Sequence, residues 1–217
     1  MQNLDYTLIV DSDFLIGTGS GSILADDLTQ TGADGNPVIP GNTIKGLIRW
    51  EFESLCDFLN IDCCDGSLGD DSSLCGLKER SKIICPVCAV FGSTRFPSAF
   101  HFSTLNMISN GKDKEDSTRR RAFNSIDPDT GTVDEGKLFM FKMANNAEFE
   151  GSISRYRPIP GDYEMVLSTE KLAVLLKLSM GLVRAVGSRK SRGQGNCRIV
   201  LKNNQWPSID QIKEVKG

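Results

Sequence analysis

The sequence predicts an α+β fold with the element order β-α-β-β-α-β, opened once by a long insertion. Three observations predict it. Two apolar segments recur at helical spacing, four short segments read as strands, and a polar cysteine-bearing stretch parts the first helix from the later strands.

In chain order, residues 5–10 (DYTLIV) form the first strand, and residues 17–41 are loose and rich in glycine and aspartate. VIPGNTIKGLIRWEFESLCDFL then turns helical, with Ile44, Leu47, Ile48, Phe52, Leu55 and Phe58/Leu59 on one side. Asn42 or Thr43 can cap it. KLFMFKMA (137–144) and AEFEGSISRY (147–156) read as two strands joined by a turn at Asn145–Asn146. Ser168 caps a second helix over residues 169–183, and NCRIVLK closes as the last strand. The segment after Pro207 carries a modest helical signal and reads as peripheral. This is the ferredoxin-like order. The 217 residues read as a single domain, residues 1–217, with a core over about 1–59 and 137–204 and an insertion over about 60–136. The insertion holds too few apolar side chains to fold unaided, and a bound metal would supply the help.

Net charge is −3, yet its distribution is uneven. Arg184–Lys202 holds six basic residues and no acidic one, whereas Asp57–Asp71 holds five aspartates and no basic one. The net value therefore does not exclude a polyanionic partner. No signal peptide is apparent, and the longest apolar run is broken by Lys177 and too short for a bilayer. The chain reads as cytoplasmic, with no membrane partner. Six of the seven cysteines fall between Cys56 and Cys88, which in such a compartment points to metal ligation over disulfides.

Cys85-Pro-Val-Cys88 has the spacing that lets two thiolates reach one tetrahedral ion. Cys64 and Cys75 complete the set, with Cys63 competing for the place of Cys64. Cys56 shares a helix side with Phe52 and Leu59 and belongs in the core. Four thiolates leave no open position for water, so the ion is a structural Zn²⁺.

The second concentration of chemistry is GSRKSRGQG, Gly187–Gly195. Its glycines, Gly193 and Gly195 among them, let the main chain approach a phosphate closely. Arg189, Lys190 and Arg192 supply charge, and Ser188 and Ser191 supply hydroxyls. The spacing matches neither a P-loop nor a dinucleotide fingerprint, so a polynucleotide backbone fits better than a nucleotide.

VIPGNTIKGLIR (38–49), CPVCAVFGS (85–93), SIDPDTGTVDEGKLF (125–139) and GSRKSRGQG together resemble the RAMP superfamily of CRISPR-associated proteins. The likeness is greatest to the backbone subunit of type III (Csm/Cmr-like) effector complexes. The resemblance implies a modified RNA-recognition-motif core whose copies stack along a guide RNA (crRNA). Its partners would be the crRNA, a single-stranded target RNA, copies of itself and other effector subunits. It assigns guide contacts to the Gly187–Gly195 loop and to the helix carrying Lys45 and Arg49. It also implies an inserted thumb hairpin, expected between Phe102 and Arg121, with Arg119, Arg120 and Arg121 near its base. Phe123 would act there as a base wedge or as core. The family's loop aspartate, which supports target cleavage with Mg²⁺ or Mn²⁺, matches Asp26, with Asp27 next to it, although this loop departs from the usual GG-x-D form. Some members bind without cutting, so a non-catalytic filament subunit is the alternative. A guide-maturation ribonuclease would need a base that the lone His101 does not supply. A small zinc-binding RNA chaperone would bind RNA without forming a filament.

Overall fold

The computed structural model describes residues 3–22, 25–64, 75, 83–94, 97–108, 117–155, 157–158, 164–202 and 206–216. Strand β1 (Leu4–Val10) alternates strictly, burying Leu4, Tyr6, Leu8 and Val10 on one face. It pairs antiparallel with β11 (Cys197–Leu201) on one side and β9 (Ala147–Arg155) on the other. Beyond β9 lie β5 (Phe100–Phe102) and β6 (Leu105–Met107), and β6 pairs with β3 (Val38–Ile39), giving the order β11-β1-β9-β6-β3. Helices α1 (Gly41–Phe58) and α3 (Thr169–Leu182) pack on each other and share one apolar core with the buried face of β1 and β9. Their faces supply Ile44, Ile48, Phe52 and Cys56 from α1, and Leu172, Leu175, Leu176 and Met180 from α3. The result is a mixed α+β fold with antiparallel sheets, consistent with a ferredoxin-like arrangement.

A second sheet stands apart from the first. Strand β7 (Thr118–Ile126) pairs antiparallel with β8 (Val133–Ala144), and the short β2 (Asp27–Leu28) adds to the far side of β8. A smaller pairing joins β4 (Ile83–Ile84) to β10 (Glu164–Met165), just before α2 (Pro86–Phe91). The C-terminal α4 (Ile209–Lys216) packs on α3 and buries Val215 in the core, so it is less peripheral than its sequence suggests.

Three expectations change. Residues 137–144 are not a core strand: they belong to β8 and pair with β7, while the core strand beside β9 comes from β5 and β6. Burial explains the exchange. Phe100, Phe102 and Leu105 are buried, whereas Leu138 and Phe139 are exposed. Part of the stretch read as insertion therefore builds the core. A long hairpin spans Thr118–Ala144, whereas the thumb expected between Phe102 and Arg121 takes in residues 109–116, which lie outside the described residues. The N-cap of α1 is Pro40, upstream of Asn42 and Thr43, with no side-chain cap. Phe58 is 78% exposed and does not join the apolar side of α1. Ser168 caps α3 as expected, accepting from Lys171 N–H.

Candidate nucleic-acid interface and metal centre

Pro86 opens α2 at a position where no N–H is needed, and Cys85 is its N-cap. Cys85 Sγ accepts from Cys88 N–H at 3.4 Å, and Cys75 Sγ accepts from Cys85 N–H at 3.2 Å. Cys64 Sγ lies 3.5 Å from Cys85 Sγ and 3.3 Å from Cys88 Sγ. The sulfurs of Cys64, Cys75, Cys85 and Cys88 all fall within 4.8 Å of one another. A tetrahedral ion with bonds of about 2.3 Å separates its sulfurs by about 3.8 Å, so the set is of the right size. This cluster could hold a metal such as zinc. The thiol neighbours of Cys85, Cys63 first, hold it far below the ordinary thiol range, while hydrogen bonding to Cys64 pushes Cys88 far above it. Cys63 stays outside the four and is raised, chiefly by its hydrogen bond to Cys56. Cys56 is buried in the core.

The basic loop is pinned to the segment that follows β1. Ser188 N–H donates to Leu15 C=O and Gly195 N–H to Asp13 C=O, both at 2.9 Å. Gly187 and Gly195 have φ of 85° and 71°. A Cβ there would lie 2.5 Å from Leu15 O and 1.9 Å from Val186 O, so the close approach requires glycine at both. Between them Lys190–Arg192 forms one 3-10 turn, with Ser188, Lys190, Ser191, Arg192 and Gly193 exposed.

Arg189 behaves differently. Its backbone is left-handed, and its guanidinium carbon lies 4.4 Å from the Phe123 ring centroid and 4.2 Å from that of Phe141. Burial, then Arg192, lowers its pKa. Phe123 is thus a platform for Arg189, packed edge-on against Phe141.

The start of α1 meets this loop. Asn42, Thr43 and Gly46 line a groove of about 500 Å³ together with Leu15–Gly17, Gly187, Ser188 and Lys190. The first turn of α1 carries no acidic side chain, so nothing offsets the positive end of its dipole. Lys45 is half-buried and outside the groove lining, its Nζ 5.9 Å from the Phe102 ring centroid. Burial, then Arg49, lowers its pKa. Arg49 is held by Glu53 at 2.7 Å and by the Gly92 carbonyl at 3.5 Å. Asn42 and Thr43 were expected as caps within the IPGNTIKG motif that the resemblance matches to a guide-contacting element, and no charge of their own marks them as lining residues.

The three arginines of β7 divide by strand alternation. Arg119 and Arg121 both bond Asp13 Oδ2, each through Nε at 2.6 Å. Arg120 faces the other way and has no ion-pair partner among the described residues. The two loop aspartates also differ. Asp27 is half-buried, and its Oδ1 accepts from Thr18 N–H at 3.1 Å and from Leu28 N–H at 2.8 Å. Asp26 is exposed and clipped to β8: its N–H donates to Met140 O at 2.7 Å and its Oδ2 accepts from Met140 N–H at 2.6 Å. Asp13 was missed altogether. Only its place directly after a buried strand, in a loop of polar residues, could have marked it.

Two comparisons bear on this arrangement. Among solved structures, the chain resembles one from a cryo-EM structure of type III-B Cmr-beta in the apo state. The TM-score is 0.61 at 10% identity, covering 94% of this chain and 98% of that one. A chain of Cmr-beta bound to cognate target RNA gives the same TM-score and identity, with 93% and 97% covered. No curated protein sequence matches. The RAMP superfamily model matches residues 7–198, a span that takes in the second half of β1, both long helices, the cysteine cluster and the glycine-rich loop. The chain belongs to the RAMP superfamily.

Proposed function

We propose that the chain is a crRNA-binding backbone subunit of a type III CRISPR interference complex. The observation that carries this reading is the groove in which the uncapped start of α1 meets Gly187, Ser188 and Lys190. The start of a helix with no acidic side chain in its first turn, the hydroxyls of Thr43 and Ser188 and the charge of Lys190 converge there on a path suited to phosphates. Base pairing to the guide would then select the target, as in other RNA-guided systems. The fold shared with Cmr-beta chains, one of them from a structure with target RNA, supports the same assembly and partners. The cysteine cluster would hold one structural Zn²⁺, and the chain would work in the cytoplasm.

Target cleavage is assigned to Asp26. It is the exposed member of the aspartate pair and is fixed to the hairpin strand β8, whereas the bonds of Asp27 go into its own loop. A hydrated Mg²⁺ or Mn²⁺ would supply charge neutralisation and a proton acceptor at an attacked phosphate. Among the described residues no acidic cluster gathers around Asp26, so the protein would offer this one carboxylate. That observation also favours the second reading, a filament subunit that binds crRNA and target without cutting.

The readings separate in a reconstituted complex with crRNA, matched target and Mg²⁺. Asp26→Ala is expected to abolish scission at this subunit's sites and leave target binding intact. Unchanged scission removes the assignment, and no scission by the wild-type chain establishes the second reading. The common core of both is tested by crRNA binding across salt for Lys190→Ala/Arg192→Ala. Unaltered affinity and salt dependence would overturn it.

A further inference from the structure

Four residues after β1, Ser12–Leu15, hold three parts of the molecule together. Ser12 Oγ accepts from Asn196 N–H, while the Asp13 and Leu15 carbonyls accept from Gly195 and Ser188, which fixes the basic loop. Phe14 exchanges two main-chain hydrogen bonds with Ala144, at 3.0 and 2.9 Å, which fixes the end of β8. The Asp13 carboxylate takes Arg119 and Arg121, which fixes β7. Asp13 is only 7% exposed, whereas the arginine side chains are 53% and 45% exposed.

We propose that Asp13 is a positioning residue: it sets the hairpin against the RNA-holding loop and withholds Arg119 and Arg121 from RNA, leaving Arg120 as the phosphate contact of the hairpin base. Both guanidinium bonds end on one carboxylate oxygen and are charge-assisted, the strong kind. They arrive from alternate positions of one strand, so the carboxylate resists both sliding and rotation of β7. Arg189 adds a second tie, seated on one ring from each hairpin strand. The positive charge left free at the hairpin base thus depends on a residue more than a hundred positions away in sequence, at separations of 106 and 108.

The ion pair can be released without stranding a buried charge, because both arginines already reach water. In the free full-length chain, Asp13→Asn is expected to speed amide exchange in residues 118–126 by about tenfold relative to residues 147–153, and Asp13→Glu is expected to restore protection. On poly(U), Asp13→Asn should steepen the salt slope by about 1.4, two freed cations at about 0.7 each. Arg120→Gln should make the wild-type slope shallower by about 0.7, while Arg121→Gln should leave the slope alone and speed exchange. Unchanged exchange in Asp13→Asn, or equal loss of slope in Arg120→Gln and Arg121→Gln, would overturn the assignment. Should Asp13→Asn fail to fold, the two arginine variants decide between the same outcomes, since each keeps Asp13 paired. The slope measurements rest on the RNA-binding function proposed above. The exchange measurements need no RNA, so a wild-type chain that ignored poly(U) would sink that function and leave the positioning role to be judged by exchange.

Discussion

The two ends of α1 face opposite chemistry. At its start, Asn42, Thr43 and Gly46 meet a loop of glycine, serine and lysine, with no carboxylate in the first turn. At its end, Glu53, Asp57, Asp62, Cys63 and Cys64 line a groove of about 600 Å³, with no basic residue in the last turn. One end suits phosphates, and the other repels them and borders the cysteine cluster. The open face of the core sheet is mixed in charge, with Arg198 exposed on β11 and Lys202 paired to Glu150. Asp5, Glu148 and Glu150 lie on the exposed side of β1 and β9, where an RNA-recognition motif would carry stacking aromatics. The proposed RNA contact and the proposed metal support thus sit at opposite ends of a single helix, and each should be lost independently of the other.

The largest effect is expected at the cysteine end. Cys85→Ser, or removal of the metal by a chelator, should abolish the cooperative melting transition or lower its midpoint steeply, because structural zinc contributes about 10 kcal/mol or more to small sites. The wild-type chain should carry one zinc per molecule by elemental analysis. A chain that melts identically with and without chelator would break the division. Next is the loop end: Lys190→Gln/Arg192→Gln should lower the salt slope of single-stranded RNA binding by about 1.4. Its melting midpoint should stay near the wild-type value, since both side chains are exposed. A third test sharpens the boundary. Asp27→Ala removes acceptors for Thr18 and Leu28 and should cost about 1–2 kcal/mol in denaturant unfolding, with RNA affinity retained in the folded fraction. The smallest effect is expected for Cys63→Ser, which lies outside the four sulfurs. Metal content should be unchanged, and stability should move by about 0.5 kcal/mol. Loss of zinc there would reassign the ligand set.

Much of this division was legible in the residues. The Cys85–Cys88 spacing and the polar surroundings of Cys64 and Cys75 led to the four thiols that the fold brings together. Choosing Cys64 over Cys63 needed coordinates, because adjacent residues in extended chain point in opposite directions. The glycine-rich loop announced its own exposure, but not that Arg189 turns back onto two rings. The arginine run reads as three equivalent cations, but the same geometry divides it: alternation gives Arg119 and Arg121 to one face of β7 and Arg120 to the other. The second core strand was missed because β5 and β6 have three residues each, too few to display a period. Meanwhile the longer apolar run in β8 reads as interior although Leu138 and Phe139 are exposed.

The left-handed backbone of Arg189 has a kinetic consequence. An L-residue there is disfavoured by about 1–2 kcal/mol, and the offsetting stack requires rings some 50–65 positions earlier in the chain. Locally, then, the turn has little reason to form. It closes only after β7 and β8 have zipped and docked, through contacts of long sequence separation that are slow to make. During synthesis the loop emerges after every strand of the hairpin it leans on. The basic turn therefore matures late, and a nascent chain would gain the proposed grip on nucleic acid only once the surrounding scaffold is in place.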